Sequence, residues 1–171
     1  MKPIFIVAGE KGSGKTTFLL NLLRILQKEG HQMGGFVAIH QLQSDSYLIK
    51  NIQTNEEILL MQRLAAFDQH PNHFKFFSEG VEVGNEWIKE LLSNPPGIVV
   101  VDEIGRFELA GELWSSSFTK LVASSVPLIF TTKIKYLEDV VKKWKMNPTL
   151  TFHADDFSMP QHAFERMKKF L

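Results

Sequence analysis

The chain has 171 residues, of which 44% are hydrophobic and 22% are charged, a balance typical of a globular protein with its own core. Nineteen Lys and Arg offset nineteen Asp and Glu, which excludes a general polyanion-binding surface and requires any phosphate recognition to be local. The sequence contains no Cys, so disulfides and thiolate metal sites are excluded.

The first segment, Ile4 to Ala8, is apolar and predicts a buried strand. It is too short for a signal-peptide core, and no stretch approaches the length of a membrane span, so we expect a cytoplasmic protein without membrane contact. A glycine-rich turn, Gly9 to Gly14, follows. Four leucines then recur at helical spacing and predict a helix from about Lys15 to Lys28: Leu19, Leu22, Leu23 and Leu26.

The next segment predicts a β-hairpin. Gly34-Gly35 precedes a strand at Phe36 to Gln41, and a polar turn leads to a returning strand at Tyr47 to Ile52. Residues 57–61 are interpreted as a further strand or the start of a helix, and residues 66–72 as a loop. We therefore expect a hairpin insertion over about residues 36–62.

Strands and helices alternate in the rest of the chain. The expected order is a helix around Trp87 to Leu92, a strand at 98–101, a helix around 118–122, a strand at 128–131, a helix around 137–144, a strand at 150–152 and a helix at 160–171. This rhythm predicts one α/β domain over residues 1–171, with three layers and a mostly parallel, doubly wound sheet.

The segment Gly-Glu-Lys-Gly-Ser-Gly-Lys-Thr at residues 9–16 matches the full pattern of a phosphate-binding loop, or P-loop. Its glycines let main-chain N–H groups point at phosphates, and the positive end of the following helix adds to that field. We expect Lys15 to reach the β- and γ-phosphates and the Thr16 hydroxyl to bind Mg²⁺. The predicted nucleotide-binding residues are Gly9, Glu10, Lys11, Gly12, Ser13, Gly14, Lys15, Thr16 and Thr17.

A buried strand at Ile98 to Val101 ends in two carboxylates, Asp102 and Glu103. Ligands of open α/β sheets bind at the carboxyl ends of strands, so we expect both acids near the P-loop. Asp102 is predicted to hold Mg²⁺ together with Thr16, usually through the water shell of the ion. Glu103 is predicted to orient the water that attacks the γ-phosphate. The alternative interpretation of both acids is that they form the solvated end of a strand and bind no ligand.

The continuation Asp-Glu-Ile-Gly-Arg-Phe-Glu-Leu at residues 102–109, taken with the P-loop, resembles the small nucleoside triphosphatases of the cancer-related type. That family's strand has Met where this chain has Phe107, and its Gly-Gly-Phe strand resembles residues 34–36. The resemblance runs from residue 3 to about residue 145. It implies a RecA-like sheet and slow, Mg²⁺-dependent release of phosphate from nucleoside triphosphates such as ATP and GTP. It also implies weak base selectivity, and residues 132–135 lack the Asp of a guanine-reading motif.

Three further charged residues belong to these motifs. Arg106 is the third candidate catalytic residue, after Lys15 and Glu103, and would stabilise charge on the γ-phosphate. An exposed loop arginine without a catalytic role is an equal alternative. Glu108 is interpreted as structural, a helix cap near Gly111. Lys11 is expected to face solvent or the γ-phosphate of its own chain. The lysine that reaches across a dimer in one branch of P-loop proteins directly follows the first glycine, where this chain has Glu10.

The chain departs from the family between Phe36 and Arg63, where it lacks the two arginines that the family carries. Alternatives to hydrolysis therefore stay open. One is a nucleotide-binding adapter with little turnover, comparable to the P-loop protein that assists molybdenum-cofactor maturation. Another is a small-molecule kinase, although a kinase lid needs several arginines and residues 40–75 contain Arg63 alone.

The remaining signals are interpreted as surface features. His70 and His73 have metal-like spacing but no third ligand nearby, and Asp155-Asp156 is typical of a surface turn. Arg166, Lys168 and Lys169 carry too little charge for nucleic acid, so no nucleic-acid partner is expected. A protein partner and the oligomeric state are left open.

Overall fold

The computed structural model describes residues 2–65, 73–154 and 160–171. The expected loop at 66–72, with His70, and the expected turn at Asp155-Asp156 lie outside these ranges. The strands are β1 (Ile4–Gly9), β2 (Met33–Gln41), β3 (Ser46–Asn51), β4 (Glu57–Arg63), β5 (Phe74–Phe76), β6 (Ile98–Val101), β7 (Leu128–Lys133) and β8 (Leu150–His153). The helices are α1 (Lys15–Lys28), α2 (Ser78–Ser93), α3 (Arg106–Leu109), α4 (Ser115–Ala123), α5 (Leu137–Lys143) and α6 (Pro160–Met167).

The described strands form one sheet in the order β5-β4-β3-β2-β6-β7-β1-β8. Strands β2, β6, β7, β1 and β8 run parallel to one another, whereas β3, β4 and β5 extend the sheet beyond β2 by antiparallel pairing. The predicted α/β class, with a mostly parallel sheet and a hairpin insertion, is confirmed. Residues 57–61 are strand, and the short strand β5 was not expected from the sequence.

Helices cover both faces of the parallel strands, which explains why those strands are apolar throughout. Ile4 and Ile6 of β1 pack in the core on the α2, α4 and α5 side. Phe5 and Val7 pack on the opposite face against α1 and α6. Because successive strand residues point to opposite faces, a strand between two helical layers must be apolar at every position.

The helices lie at the predicted positions, although α2 begins at Ser78, well before Trp87. Helix α1 runs from Lys15 to Lys28, as predicted from its leucine spacing. Helix α6 ends at Met167 instead of continuing to Leu171, and Phe170 and Leu171 are exposed. Within the described ranges, no helix combines the length and hydropathy that crossing a membrane requires.

Strand β2 begins at Met33, before the predicted start, because its two glycines belong to the strand. Gly35 has φ +131°, a backbone conformation that favours glycine. A Cβ atom there would lie 1.9 Å from the carbonyl oxygen of Val100. Glycine thus permits the close pairing of β2 with β6, which places Ala38 beside the carboxyl end of β6.

Replacing Gly35 with Ala is expected to lower the free energy of unfolding by about 3 kcal/mol or more, since the new methyl group meets a backbone carbonyl that cannot yield. Urea unfolding measures this change. Gly30→Ala is the matched control, because Gly30 also has positive φ but open space around it, and we expect it to cost only about 1 kcal/mol. Equal costs for the two variants would contradict the close-approach argument.

Candidate functional site

The P-loop connects β1 to α1 and curls back on itself. Gly12 and Gly14 have φ of +76° and +87°. A residue with a side chain would be strained in this conformation. The N–H of Ser13 donates to the carbonyl of Glu10 at 3.2 Å. Lys15 is buried, with 6% of its surface exposed, and its Nζ donates to the same Glu10 carbonyl at 2.7 Å. The lysine is therefore held inside the loop's concave side, where a phosphate would meet it.

The Asp102 carboxylate is the point where the P-loop meets the rest of the site. Its Oδ2 accepts hydrogen bonds from the Thr16 hydroxyl and from the Ala38 N–H, both at 3.0 Å. Its Oδ1 accepts a 2.5 Å hydrogen bond from the Thr131 hydroxyl. Since Asp102 is 2% exposed, three donors from α1, β2 and β7 replace the water that it loses. Thr16 and Asp102 thus lie together, as the sequence predicted.

Burial raises the pKa of Asp102 to about 6, against the lowering effect of the Thr131 hydrogen bond and with a further rise from the nearby Glu103 charge. A bound divalent cation would favour the ionised form and remove the unfavourable part of this arrangement. The donor set, one hydroxyl and one carboxylate on adjacent elements, consists of the hard oxygen ligands that Mg²⁺ prefers. The residues present therefore fit a magnesium ion.

Glu103 follows Asp102 in a constrained backbone conformation, with φ +67°. Its N–H donates to Thr131 Oγ1 at 2.8 Å, and its Oε1 lies 3.0 Å from Lys133 Nζ. The carboxylate is 37% exposed and lines the cavity above the P-loop. Positive φ at a residue other than glycine is uncommon and is found preferentially at functional sites.

Sequence reasoning missed Thr131 and Lys133. Both belong to β7, whose residues are about thirty positions away from the acids they contact, and no local motif marks them. The only available signal was the Thr-Lys-Ile-Lys segment, which was compared with a guanine-reading motif. In the structure its lysine, Lys133, instead contacts the Glu103 carboxylate.

Glu108 has a structural role. Its Oε2 accepts the Gly105 N–H at 2.8 Å, so the side chain caps the start of α3, the short helix that ends just before Gly111. The carboxyl group is 1% exposed, and burial raises its pKa to about 8, opposed by the Gly105 hydrogen bond. A carboxylate caps a helix by accepting a free N–H at its start, and here that N–H belongs to Gly105, three residues before Glu108.

Arg106 begins α3 and is exposed. Its guanidinium carbon lies 4.5 Å from the Phe107 ring centre and 5.3 Å from that of Phe74. Arg106 is therefore exposed, as the alternative interpretation expected, but aromatic rings from β5 and α3 also contact its guanidinium group.

A cavity of about 990 Å³ connects these groups. The predicted site residues that line it are Lys11, Gly12, Gly14, Lys15, Thr16, Thr17, Asp102, Glu103 and Arg106. Gly9, Glu10 and Ser13 belong to the same loop without lining the cavity. His73 lines the cavity as well, but in the described part of the chain no group of three or more His, Asp or Glu side chains is arranged to hold a metal ion.

Two solved structures share this fold. The crystal structure of THEP1 from Aquifex aeolicus superposes with a TM-score of 0.67 at 17% identity, covering 98% of this chain and 96% of the other. The solution structure of a human cancer-related nucleoside triphosphatase gives a TM-score of 0.71 at 15% identity, covering 99% and 97%. At such identities the likeness establishes the fold alone.

Relatives with curated names extend the comparison to sequence. The nucleoside-triphosphatase THEP1 of Methanocaldococcus jannaschii is 27% identical over 128 residues, or 73% of this chain and 75% of that protein. The protein of the same name from Sulfolobus acidocaldarius is 26% identical over 156 residues, or 82% and 84%. The sequence profile described as NTPase matches residues 4–154. The chain therefore belongs to the NTPase family of nucleoside-triphosphate hydrolases.

Proposed function

We propose that this protein hydrolyses nucleoside triphosphates such as ATP and GTP to the diphosphate and phosphate, with Mg²⁺ as cofactor and little selectivity for the base. The observation that carries the proposal is the 3.0 Å hydrogen bond between Thr16 and Asp102. It joins the P-loop to the acidic strand end at the position where a metal would meet the β- and γ-phosphates. The names of the curated relatives, all nucleoside triphosphatases, favour hydrolysis over an adapter role.

Phosphate binding is assigned to residues 9–17. Main-chain N–H groups of the curled loop point toward the phosphates, and the Lys15 ammonium group exchanges its Glu10 carbonyl for phosphate oxygens. Thr16 and Asp102 would hold Mg²⁺, which when bound neutralises charge on the β- and γ-phosphate oxygens. Lys11, on the exposed part of the loop, is placed to contact the γ-phosphate from the same chain.

Water activation is assigned to Glu103. The Thr131 hydroxyl fixes its backbone, and the Lys133 ammonium group fixes its carboxylate. An oriented carboxylate positions a water molecule in line with the γ-phosphorus and accepts its proton as the bond to the β-phosphate oxygen breaks. Arg106, on the same cavity wall, is assigned to stabilise the charge that develops on the γ-phosphoryl oxygens.

The absence of a base-reading motif supports the weak selectivity. Residues 132–135 carry no Asp that would pair with guanine, and Lys133 is engaged with Glu103. We also propose that residues 1–171 work as one domain, because strands from both halves of the chain pair in a single sheet. Phosphate release from the four common triphosphates, with and without Mg²⁺, tests these assignments; release without Mg²⁺ at an equal rate would contradict them.

Lys15→Ala is expected to weaken triphosphate affinity by about 100-fold or more, because charge-assisted hydrogen bonds to the phosphates are lost. Isothermal titration with a non-hydrolysable triphosphate measures the affinity. Lys28→Ala, at the exposed end of the same helix, is the matched control and should bind as the parent protein does. Retained affinity in Lys15→Ala would remove the P-loop from the proposal.

Glu103→Gln is expected to keep triphosphate affinity within a few-fold and to lower the hydrolysis rate by about 100-fold, since the amide does not accept the proton of the attacking water. Single-turnover phosphate release gives the rate. Glu112→Gln, which alters an exposed acid after α3, controls for loss of charge. A hydrolysis rate equal to that of the parent would exclude the water-activating role.

The raised pKa of Glu108 predicts how stability depends on pH. The folded protein holds this proton up to about pH 8, whereas the unfolded chain loses it near the ordinary value of 4.5. The free energy of unfolding should therefore fall as pH rises through that interval. Glu108→Gln is expected to flatten most of the decline in urea unfolding, and the exposed control Glu82→Gln to leave it unchanged. If the free energy of unfolding of Glu108→Gln fell with pH as steeply as that of the parent, the pH dependence would come from another group, such as Asp102.

A further inference from the structure

The cavity continues well past the residues that would hold a triphosphate. One end is formed by the P-loop and Asp102. The other end, here called the distal lobe, is formed by strands β3, β4 and β5 together with α3. Its principal lining residues are Tyr47, Met61, Arg63, Phe74, Arg106 and Phe107.

The strand order places the distal lobe beyond the γ-phosphate. The P-loop follows β1, and Asp102 follows β6, two strands away in the sheet. Because a metal held by Thr16 and Asp102 would meet the β- and γ-phosphates, the phosphate tail of a bound triphosphate would point from β1 toward β6. Strands β3, β4 and β5 lie farther along the same direction. A molecule in the lobe would therefore stand on the side from which water approaches the γ-phosphorus.

Aromatic rings hold two arginines in this lobe. The guanidinium carbons of Arg63 and Arg106 lie 5.2 and 5.3 Å from the centre of the Phe74 ring. Asp45 adds a contact at 3.3 Å to Arg63 Nε and one at 2.8 Å to His40 Nε2. Stacked guanidinium groups lose little further freedom when they bind, and their planar forks match the oxygens of a phosphate.

Buried polar atoms without a partner mark the same region. Although Arg63 Nε is 3.3 Å from Asp45, it is buried and not aligned for a hydrogen bond. Glu108 Oε1, on the cavity wall, is a second such side-chain atom in the described ranges, and the third, Ser13 Oγ, belongs to the P-loop outside the distal lobe. A buried polar atom without a hydrogen-bond partner is unfavourable. Two of the three, on Arg63 and Glu108, thus lie on the cavity wall, where a polar ligand would satisfy them.

The charge and the walls of the cavity define the ligand. In the described part of the chain, six lysine and arginine side chains and four carboxylates line it, so it favours an anion. Apolar side chains, including Leu60, Met61 and Trp114, form the remaining wall of the lobe. Such a wall suits a flat apolar body and not a small hydrated ion.

From these observations we propose that the distal lobe binds a small phosphate monoester with a flat apolar body, its phosphate between Arg63 and Arg106, beside the γ-phosphate of the bound triphosphate. The proposal rests on the proposed function for the position of the triphosphate. A ligand at this position displaces the water near Glu103, so phosphate release from the triphosphate falls when it binds.

Phenyl phosphate is the probe, titrated by calorimetry into protein saturated with Mg²⁺ and a β,γ-imido triphosphate. One site is expected, weakened about tenfold or more in Arg63→Gln and less in Arg63→Lys, which keeps the charge but not the planar fork. Lys75→Gln is the matched control, since Lys75 follows Phe74 on β5 but stacks on Phe77 outside the lobe. Circular dichroism of each variant verifies folding.

Several outcomes would overturn the proposal: no binding of phenyl phosphate, equal binding by Arg63→Gln and the parent, or equal affinity for inorganic phosphate, which would make the lobe an exit site for product. Phosphate release measured with increasing phenyl phosphate should decline without competition against the triphosphate. Failure of the imido triphosphate to bind would contradict the proposed function instead, and the titration repeated without nucleotide still tests the lobe.

Discussion

Asp102 is a carboxylate held out of water at the junction of the P-loop, β2 and β7, and the surrounding structure is organised around satisfying it. Burying a carboxylate is costly unless hydrogen-bond donors replace the lost water. Thr16, Ala38 and Thr131 supply those donors, and each comes from a different element. The positions of α1, β2 and β7 relative to β6 are therefore tied to the same side chain that is proposed to hold magnesium.

The site combines two unfavourable features, buried carboxyl groups and a strained backbone. The Asp102 and Glu108 carboxyl groups are buried, and burial raises the pKa of both. Glu103, between them in sequence, has a strained backbone. Strain and displaced pKa values concentrate at functional sites, where the stability they cost is offset by the rest of the core. Here the apolar layers on both faces of the sheet provide that offset.

The two arginines at the Phe74 ring come from different places in the chain. The resembled family carries arginines soon after its Gly-Gly-Phe strand, whereas this chain has none between Phe36 and Arg63, at the end of β4. Folding brings Arg63 and Arg106 to the same Phe74 ring. The low arginine count of residues 40–75, which counted against a kinase lid, therefore understates the number of arginines at the cavity.

The sequence by itself determined the P-loop, α1, the β6 strand with its acids and the α/β class, because each depends on a few consecutive residues or on a local periodicity. It left β4 ambiguous and did not indicate the three-residue β5. Only the tertiary structure decided that Thr131 and Lys133 hold Glu103 and that Phe74 joins two arginines. These contacts join side chains far apart in the chain, and their geometry follows from sheet order and register, which no local pattern encodes.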